Sequence, residues 1–488
     1  TFTAPAFAGT WYIEDGDITI SAGESGNNVT QNENTTKNDT DTIITNREEG
    51  ASSHTVTIDA KDKDDKVEVT LKDANIDTSK QSKAAVSVTG SGDTTIELDG
   101  DNELQGGDRH AGLEHNQTVD SEGNVTSGKL TIQDDNDNAG SLTATGGYFG
   151  AGIGGGSAKA GQVTITGGTI TAISGDGAGI GGGQGNMGSN AGNADIEISG
   201  GTIEATGGYT SAGIGGGYYG DATIKITGDA VIKNATGGTF GAGIGGGGGG
   251  NGDVTISGNA KIENAQGGYA GSGIGGGYGA SGTVTIKDDS TVTATGGEAG
   301  AGIGGGVGGL ADVTIEGNAT VNAIGGVGSA GIGGGYDAEN DEDDGNGNQI
   351  SIKSNESGAP TVNATGGESS IDKKTGEKIP GGAGIGSGAG DAKANITLEG
   401  KVTIVAKAGE GNAAIGDMNG EQVFTGLDGS ITRYDSEGND TTLPTDPGYP
   451  VPADTSSSGG GSAGASVQES VFPGLVVTDK DGQRISHT

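Results

Sequence analysis

Gly267-Gly-Tyr-Ala-Gly-Ser-Gly-Ile-Gly-Gly-Gly-Tyr-Gly-Ala-Ser-Gly-Thr-Val-Thr-Ile-Lys-Asp-Asp-Ser-Thr-Val-Thr-Ala-Thr295 is one complete unit of a repeat. It opens on Gly-Gly and passes through a glycine-flanked Ile274. Two alternating segments follow, Val284-Thr-Ile286 and Thr291-Val-Thr-Ala294, before Gly296-Gly297 begins the next unit. Outward from this unit, Ala-Gly-Ile-Gly-Gly-Gly or a close variant places its Ile at 153, 180, 214, 244, 274, 303 and 332. Decayed copies lie at Ile385 and Ile415. Successive steps are 27, 34, 30, 30, 29, 29, 53 and 30 residues, and a further decayed copy, Ala111-Gly112-Leu113-Glu114, precedes the first good one.

The text between the copies also repeats. Val163-Thr-Ile165, Ile196-Glu-Ile198, Ile224-Lys-Ile226, Val254-Thr-Ile256 and Val313-Thr-Ile315 take the second place in each unit. Thr169-Ile-Thr-Ala172, Thr202-Ile-Glu-Ala205, Lys261-Ile-Glu-Asn264 and Thr320-Val-Asn-Ala323 take the third. Period-2 alternation of β-branched residues between Gly, Asn and Asp is a strand signal, and no window has a helical period. Three short strands per unit of about 30 residues cannot bury a face alone. Stacked units pair each strand with its equivalent one coil away, parallel and about 4.8 Å distant. The spacing therefore predicts an all-β, single-stranded parallel β-helix, right-handed by the general crossover preference. A propeller needs four longer strands per blade and a longer period. Calcium-loaded nonapeptide rolls fail on spacing at Gly249-Gly-Asn-Gly-Asp253 and Gly305-Gly-Val-Gly-Gly-Leu-Ala-Asp312.

Composition excludes other classes. Glycine contributes 108 of 488 residues with only 8 Pro, Cys is absent, and 65 acidic against 25 basic residues give a net charge of −40. There is no collagen period, no run long enough to span a membrane, no disulfide chemistry, and no cationic surplus for nucleic acid. The low apolar content, 30 %, is typical of disordered chains; the periodicity and the narrow core of a solenoid explain it instead.

Along the chain, residues 1–10 are expected to be a processed or trimmed start. Residues 11–135, with Ile18-Thr-Ile20, Val56-Thr-Ile58 and Val67-Glu-Val-Thr-Leu71, form irregular first coils and a polar cap. Residues 136–420 form the regular stack of nine to ten coils, interrupted by insertions at Asp337 to Asn348 and Ser370 to Pro380. Residues 421–441 suggest a closing hairpin turning at Asp435-Ser-Glu-Gly438. Pro and Ser mark a linker over 442–470, and 471–488 resumes strand-like text.

The entry text Trp11-Tyr-Ile-Glu-Asp-Gly-Asp-Ile-Thr-Ile20, the segment Val67-Glu-Val-Thr-Leu-Lys-Asp-Ala-Asn-Ile76, the His110-Ala-Gly-Leu-Glu114 copy and the Gly-Ala-Gly-Ile-Gly-Gly-Gly repeats carry a resemblance. Over about residues 11 to 425 the chain resembles large secreted β-helix surface proteins of Gram-positive gut bacteria. These are grouped as carbohydrate-binding-domain or pectate-lyase-like proteins. The resemblance implies an extracellular location, with cell-wall attachment through a later segment.

The chemistry-bearing residues point towards binding. Each Gly-Ala-Gly-Ile-Gly-Gly copy satisfies G-x-G-x-x-G, but no helix follows, so a dinucleotide site is excluded. Arg occurs only at 47, 109, 433 and 484 and His only at 54, 110, 115 and 487, leaving the regular coils without a lyase base. Asp176, Asp288 and Asp289 lack a partner motif and read as turn or solvated carboxylates, and His110 and His115 as cap residues. Asp337, Glu339, Asp341, Glu342, Asp343 and Asp344 form an acidic run whose hard oxygens suit calcium, although no EF-hand register is met. The alternative for that run is a solvated loop. Thr columns that could suit ice are interrupted by Glu197, Lys225, Glu204 and Lys261.

The aromatics are the most informative group. Tyr148, Tyr209 and Tyr269 precede the glycine strand; Tyr218, Tyr219, Tyr278 and Tyr336 follow it; Phe149 and Phe240 join the first set. Stacked coils would line them along two edges of a glycine-floored strip, suited to sugar faces or a protein partner. Covering corner backbone is the competing role, and Glu298 and Val327 break the column. The expectation is a non-enzymatic extracellular adhesin or glycan-binding β-helix facing a polysaccharide or mucin-like glycoprotein. It would be a monomer within a longer chain, without nucleic-acid or membrane partners. A polysaccharide lyase or hydrolase and a passive spacer are the alternatives.

Overall fold

In the computed structural model, residues 7–450 are described, except 189–190 and 341–345. Parallel pairing stacks Ile18, Val56, Val86, Leu113, Ile153, Ile180, Ile214, Ile244, Ile274, Ile303, Ile332, Ile385 and Ile415 in one column. Every member is buried. The expected isoleucine column therefore exists, and it runs four coils further towards the N-terminus than the first full glycine motif at Ile153. Val56, Val86 and Leu113 are regular rungs of the same stack, spelled without the full Ala-Gly-Ile-Gly-Gly-Gly motif.

Two further faces complete each coil. In the second, the inward pairs Val163/Ile165, Ile196/Ile198, Ile224/Ile226, Val254/Ile256, Val284/Ile286 and Val313/Ile315 lie in register. In the third, Ile170/Ala172, Ile203/Ala205, Ile232/Ala235, Ile262/Ala265 and Val292/Ala294 do the same. Branched side chains on all three faces, alternating with alanine on the third, fill a core only a few residues wide. This is how so little apolar sequence supports so long a stack.

One expectation about register is corrected here. Asn264 is not the equivalent of Ala172: Val231–Thr236 and Lys261–Gln266 each carry one extra residue, and Ala265 takes the inward place. The bulged residues stack on each other, the Asn264 amide donating to the Asn234 side-chain oxygen at 3.1 Å.

Both ends are closed by specific devices, as open parallel edges require. At the N-terminus, Ile18–Ala22 pairs antiparallel with Asn27–Gln31, which pairs antiparallel with Asn34–Asp39. The buried Asp39 carboxylate ties this meander down, accepting from the Gly9 amide and the Trp11 indole, both at 2.8 Å. At the C-terminus, the hairpin expected in 421–441 is present over its second half: the chain turns at Asp435, Tyr434 bridges Asp440 antiparallel, and the Thr441 amide donates to the Arg433 carbonyl at 2.9 Å. Its first strand, Asp428–Tyr434, also adds a parallel rung to Lys401–Lys407, and within the turn the Gly438 amide donates to the Asp435 carbonyl. Residues 442–449 pack back onto this rung rather than starting the linker: the Ile431 amide donates to the Pro447 carbonyl at 3.0 Å, and Asp446 is buried. The rest of the expected linker and the strand-like 471–488 lie outside the described residues.

Candidate functional site

The glycine motif does not fold as an accessible flat strip. In each copy from Ile153 to Ile385 the residue two before Ile donates its amide to a carbonyl four residues on, as Ala242 does to Gly246 at 3.0 Å and Ala301 to Gly305 at 3.0 Å. This reverses the chain tightly around a two-residue strand, Ile244–Gly245 in that copy. Gly245 has φ +143, and a Cβ there would lie 1.9 Å from the Gly275 carbonyl oxygen of the next coil. Glycine is required because backbone, not ligand, occupies the space. The motif is buried throughout, which corrects the expectation of a glycine floor open to a partner.

The reversal brings the two flanking loops together. The Gly248 amide donates to the Thr210 carbonyl at 2.8 Å, Tyr278 to Phe240 at 2.8 Å, and Val307 to Ala270 at 2.9 Å. The loop after one isoleucine is thus laced to the loop before the isoleucine one coil back. The aromatics expected on two edges meet on a single ridge over the buried turns.

Phe240 is the centre of that ridge. Its ring lies edge-on to Tyr209 at 5.4 Å and tilted against Tyr278 at 5.5 Å. The Tyr218 and Tyr219 rings lie 4.2 Å apart, tilted at 47°, and a side-chain hydrogen bond between them, with burial, pushes the Tyr218 phenol up. Gly249 makes room for this pair, because a Cβ on it would lie 2.4 Å from the Tyr219 ring. Tyr218, Tyr219, Phe240, Gly248, Gly249, Tyr278 and Gly279 enclose a cleft of about 330 Å³.

Outer rings remain free above this base. Tyr148, Tyr209, Tyr269 and Tyr278 are 61, 59, 55 and 50 % exposed, far more than a ring that merely covers backbone. Tyr336 differs. The hairpin of Ser370–Ile371 and Lys378–Ile379 brings Ile379 beside it over Gly328. Burial, then the Asp337 and Asp372 carboxylates, push its phenol up. The insertion thus ends the ridge at Tyr336.

Two sites look different in three dimensions. Asp176 is 6 % exposed, accepting from the Gln184 amide at 2.5 Å and the Thr210 hydroxyl at 3.1 Å. Burial pushes its carboxyl up, against the Thr210 hydrogen bonds. It is a committed structural group rather than a solvated one, and its neighbours in sequence gave no sign of that. Arg109, held at φ +69, reaches to 5.8 Å from the Phe149 ring, and His110 Nδ1 lies 2.9 Å from the buried Glu114 carboxylate. The ridge therefore begins, one coil before Tyr148, in charged residues.

The acidic run is divided. Asp337 and Glu339 are exposed, while Asp341, Glu342, Asp343 and Asp344 lie outside the described residues. Among the described residues no group of three His, Cys, Asp or Glu could hold a metal ion, and no helix is long and apolar enough to cross a membrane. The Thr columns are broken as the sequence implied, Glu204 pairing beside Thr171 and Lys261 beside Thr291.

Among known families, the model for a beta helix repeat matches residues 138–157, 163–184, 196–218, 284–307 and 313–336. The last four stretches each begin on the second-face strand of a coil, and together the matches include Tyr148, Tyr209, Tyr218 and Tyr336. Comparison with curated proteins and with solved structures gave no match.

Proposed function

We propose that this β-helix is a non-enzymatic glycan-binding element of a bacterial surface protein, holding a polysaccharide or a mucin-like glycoprotein along its aromatic ridge. The observation that carries the reading is the row of exposed rings Tyr148, Tyr209, Tyr269 and Tyr278 on loops laced to one another by backbone hydrogen bonds. Aromatic faces stack on the C–H faces of sugar rings. A rigid scaffold holds them in position before the ligand arrives, so little ordering entropy is lost on binding. Repetition along the solenoid turns weak single contacts into avidity for a polymer.

A hydrolase would need a paired acid and base within reach of the sugar. Asp176, the buried carboxylate of the ridge, has its oxygens engaged by Gln184 and Thr210, which favours binding over cleavage. The extracellular, wall-attached setting belongs to this proposal and rests on the resemblance to surface β-helix proteins. Changing Tyr209, Tyr269 and Tyr278 together to Ala should leave the β-sheet spectrum intact and abolish retention on a glycan array or a mucin column. Retention equal to the parent would move the binding surface elsewhere. Release of reducing ends from any array polymer would replace binding with catalysis.

A further inference from the structure

The exposed tyrosines that precede the isoleucine recur at every second coil, and Tyr278, which follows Ile274 and leans on Phe240, stands beside that row. The Gly-Gly pairs before the tyrosines of the row are stacked in register: a Cβ on Gly238 would lie 1.7 Å from the Gly208 carbonyl oxygen, and one on Gly268 would lie 1.5 Å from that of Gly238. Tyr209, Thr239 and Tyr269, the residues that follow these pairs, therefore occupy equivalent places in three successive coils. One coil also separates Tyr148 from Tyr209, the coil of Ile180. Its loop, Ser174-Gly-Asp-Gly-Ala178, is one residue shorter than Gly146-Gly-Tyr-Phe-Gly-Ala151, and its Asp176 turns inward.

The relief along the ridge is thus ring, dip, ring, dip, ring. Tyr148, Tyr209 and Tyr269 stand more than half exposed, while Asp176 is buried and Thr239 half-buried between them. Coils are about 4.8 Å apart, so the rings repeat at about 9.6 Å along the solenoid axis. A straight row of equivalent platforms needs a ligand that presents equivalent faces along a straight line.

We infer that the ligand is an extended chain of equatorially linked pyranoses in a two-fold ribbon, lying along the solenoid with every second sugar on Tyr148, Tyr209 or Tyr269. In such a ribbon successive rings are turned over, so alternate rings offer the same C–H face. A chain with axial linkages coils and carries its faces off the row. The intervening sugars pass over the dips, where the Thr239 hydroxyl is available to an equatorial hydroxyl. The inference rests on the glycan-binding reading and narrows it to one polymer geometry.

Titration of the protein with cello- and chito-oligosaccharides of increasing length, alongside amylose fragments of equal length, tests it. A trisaccharide reaches two tyrosines and a pentasaccharide three. Affinity should rise from tri- to pentasaccharide with the tetrasaccharide adding little, and amylose fragments should bind at least about tenfold more weakly. Tyr148→Ala, Tyr209→Ala and Tyr269→Ala should each weaken the pentasaccharide by about three- to tenfold; loss of either end ring, Tyr148 or Tyr269, should remove the step to the pentasaccharide, whereas Tyr209→Ala should weaken the trisaccharide and keep that step. Thr239→Tyr, which fills a dip, should not strengthen it. A smooth rise with every added sugar, equal binding of amylose fragments, or a gain from Thr239→Tyr would overturn the two-fold ribbon while leaving glycan binding in place. Binding of no oligosaccharide, together with no retention of any array polymer, would overturn the glycan reading itself.

Discussion

At the scale of single residues, glycine and histidine carry the sharpest tests. Gly245 combines φ +143 with a neighbouring carbonyl 1.9 Å from where its Cβ would be. Gly245→Ala should therefore lower stability by more than about 2 kcal/mol in denaturant melts. Gly279, at φ +70 with nothing within 4 Å, should accept Asn at a cost below about 1 kcal/mol. Equal costs would show that the close approach of successive coils does not select glycine. His115 is buried on the Leu113–His115 strand, Nδ1 2.6 Å from the Gln162 carbonyl, and burial pushes its pKa down against the pull of the Gln162 and Gly128 carbonyls. With the folded pKa depressed, the unfolded chain takes up a proton first. Its contribution to stability is whole above the ordinary value of about 6.5 and is lost as pH falls from there towards the folded value. His115→Gln should flatten that limb of the melting profile, and parallel profiles for parent and variant would remove the imidazole from the account. The isoleucine column was legible because a single spacing repeats along the chain. The burial of Asp176 was not, because it depends on Gln184 and Thr210, which a neighbouring loop and a neighbouring coil supply.

At the scale of elements, the last rung shows how a solenoid stops. Arg433 pairs with Ala406 in register, so an arginine stands where the inward alanine column would continue. It is fully buried and places all its donors: Nε and Nη2 on the Asp446 carboxylate at 2.7 and 2.9 Å, Nη1 on Glu421 at 2.6 Å and on the Ile415 carbonyl, Nη2 also on the Gln422 carbonyl. Glu421 in turn accepts from the Ala414 and Ile415 amides at 2.6 and 3.0 Å, closing the open edge of the final isoleucine strand. Arg433→Met leaves Asp446 buried and unpaired and should cost about 3–5 kcal/mol. Hydrogen exchange should speed up first across Asp428–Tyr434. Adding Asp446→Leu should recover part of the loss, and uniform exchange along the whole stack would argue against a local cap. Sequence reading missed this cluster because Arg433, Glu421 and Asp446 obey no repeat. The turn at Asp435 was legible in 421–441, but that its first strand, Asp428–Tyr434, also pairs parallel with Lys401–Lys407 was not.

At the scale of the whole molecule, the chain carries a net charge of −40, and in the stacked coils, about 4.8 Å apart, like charges lie within a Debye length, about 10 Å at 0.1 M salt, of one another. Sodium chloride should raise the melting temperature, and calcium should exceed sodium at matched ionic strength only if the run from Asp337 to Asp344 gathers the ion. Replacing its six carboxylates by amides should then remove the excess, whereas equal effects of the two salts would leave the run a solvated insertion. The nine coils from Ile153 to Ile415 and their core were readable from periodicity alone, whereas the coils before Ile153 carry no full copy of the motif and were read as irregular. The ridge was readable only as a list of aromatics, because the glycine turns that fold its two edges together are long-range backbone contacts. Its direct test is oxidative footprinting of tyrosines with hydroxyl radicals, with and without a bound β-linked polymer. Protection of Tyr148, Tyr209, Tyr269 and Tyr278, with Tyr336 and Tyr434 unchanged, is the predicted result. Protection confined to other residues, with these four rings oxidised as fast as in the free protein, would contradict the assignment of the ridge as the binding surface.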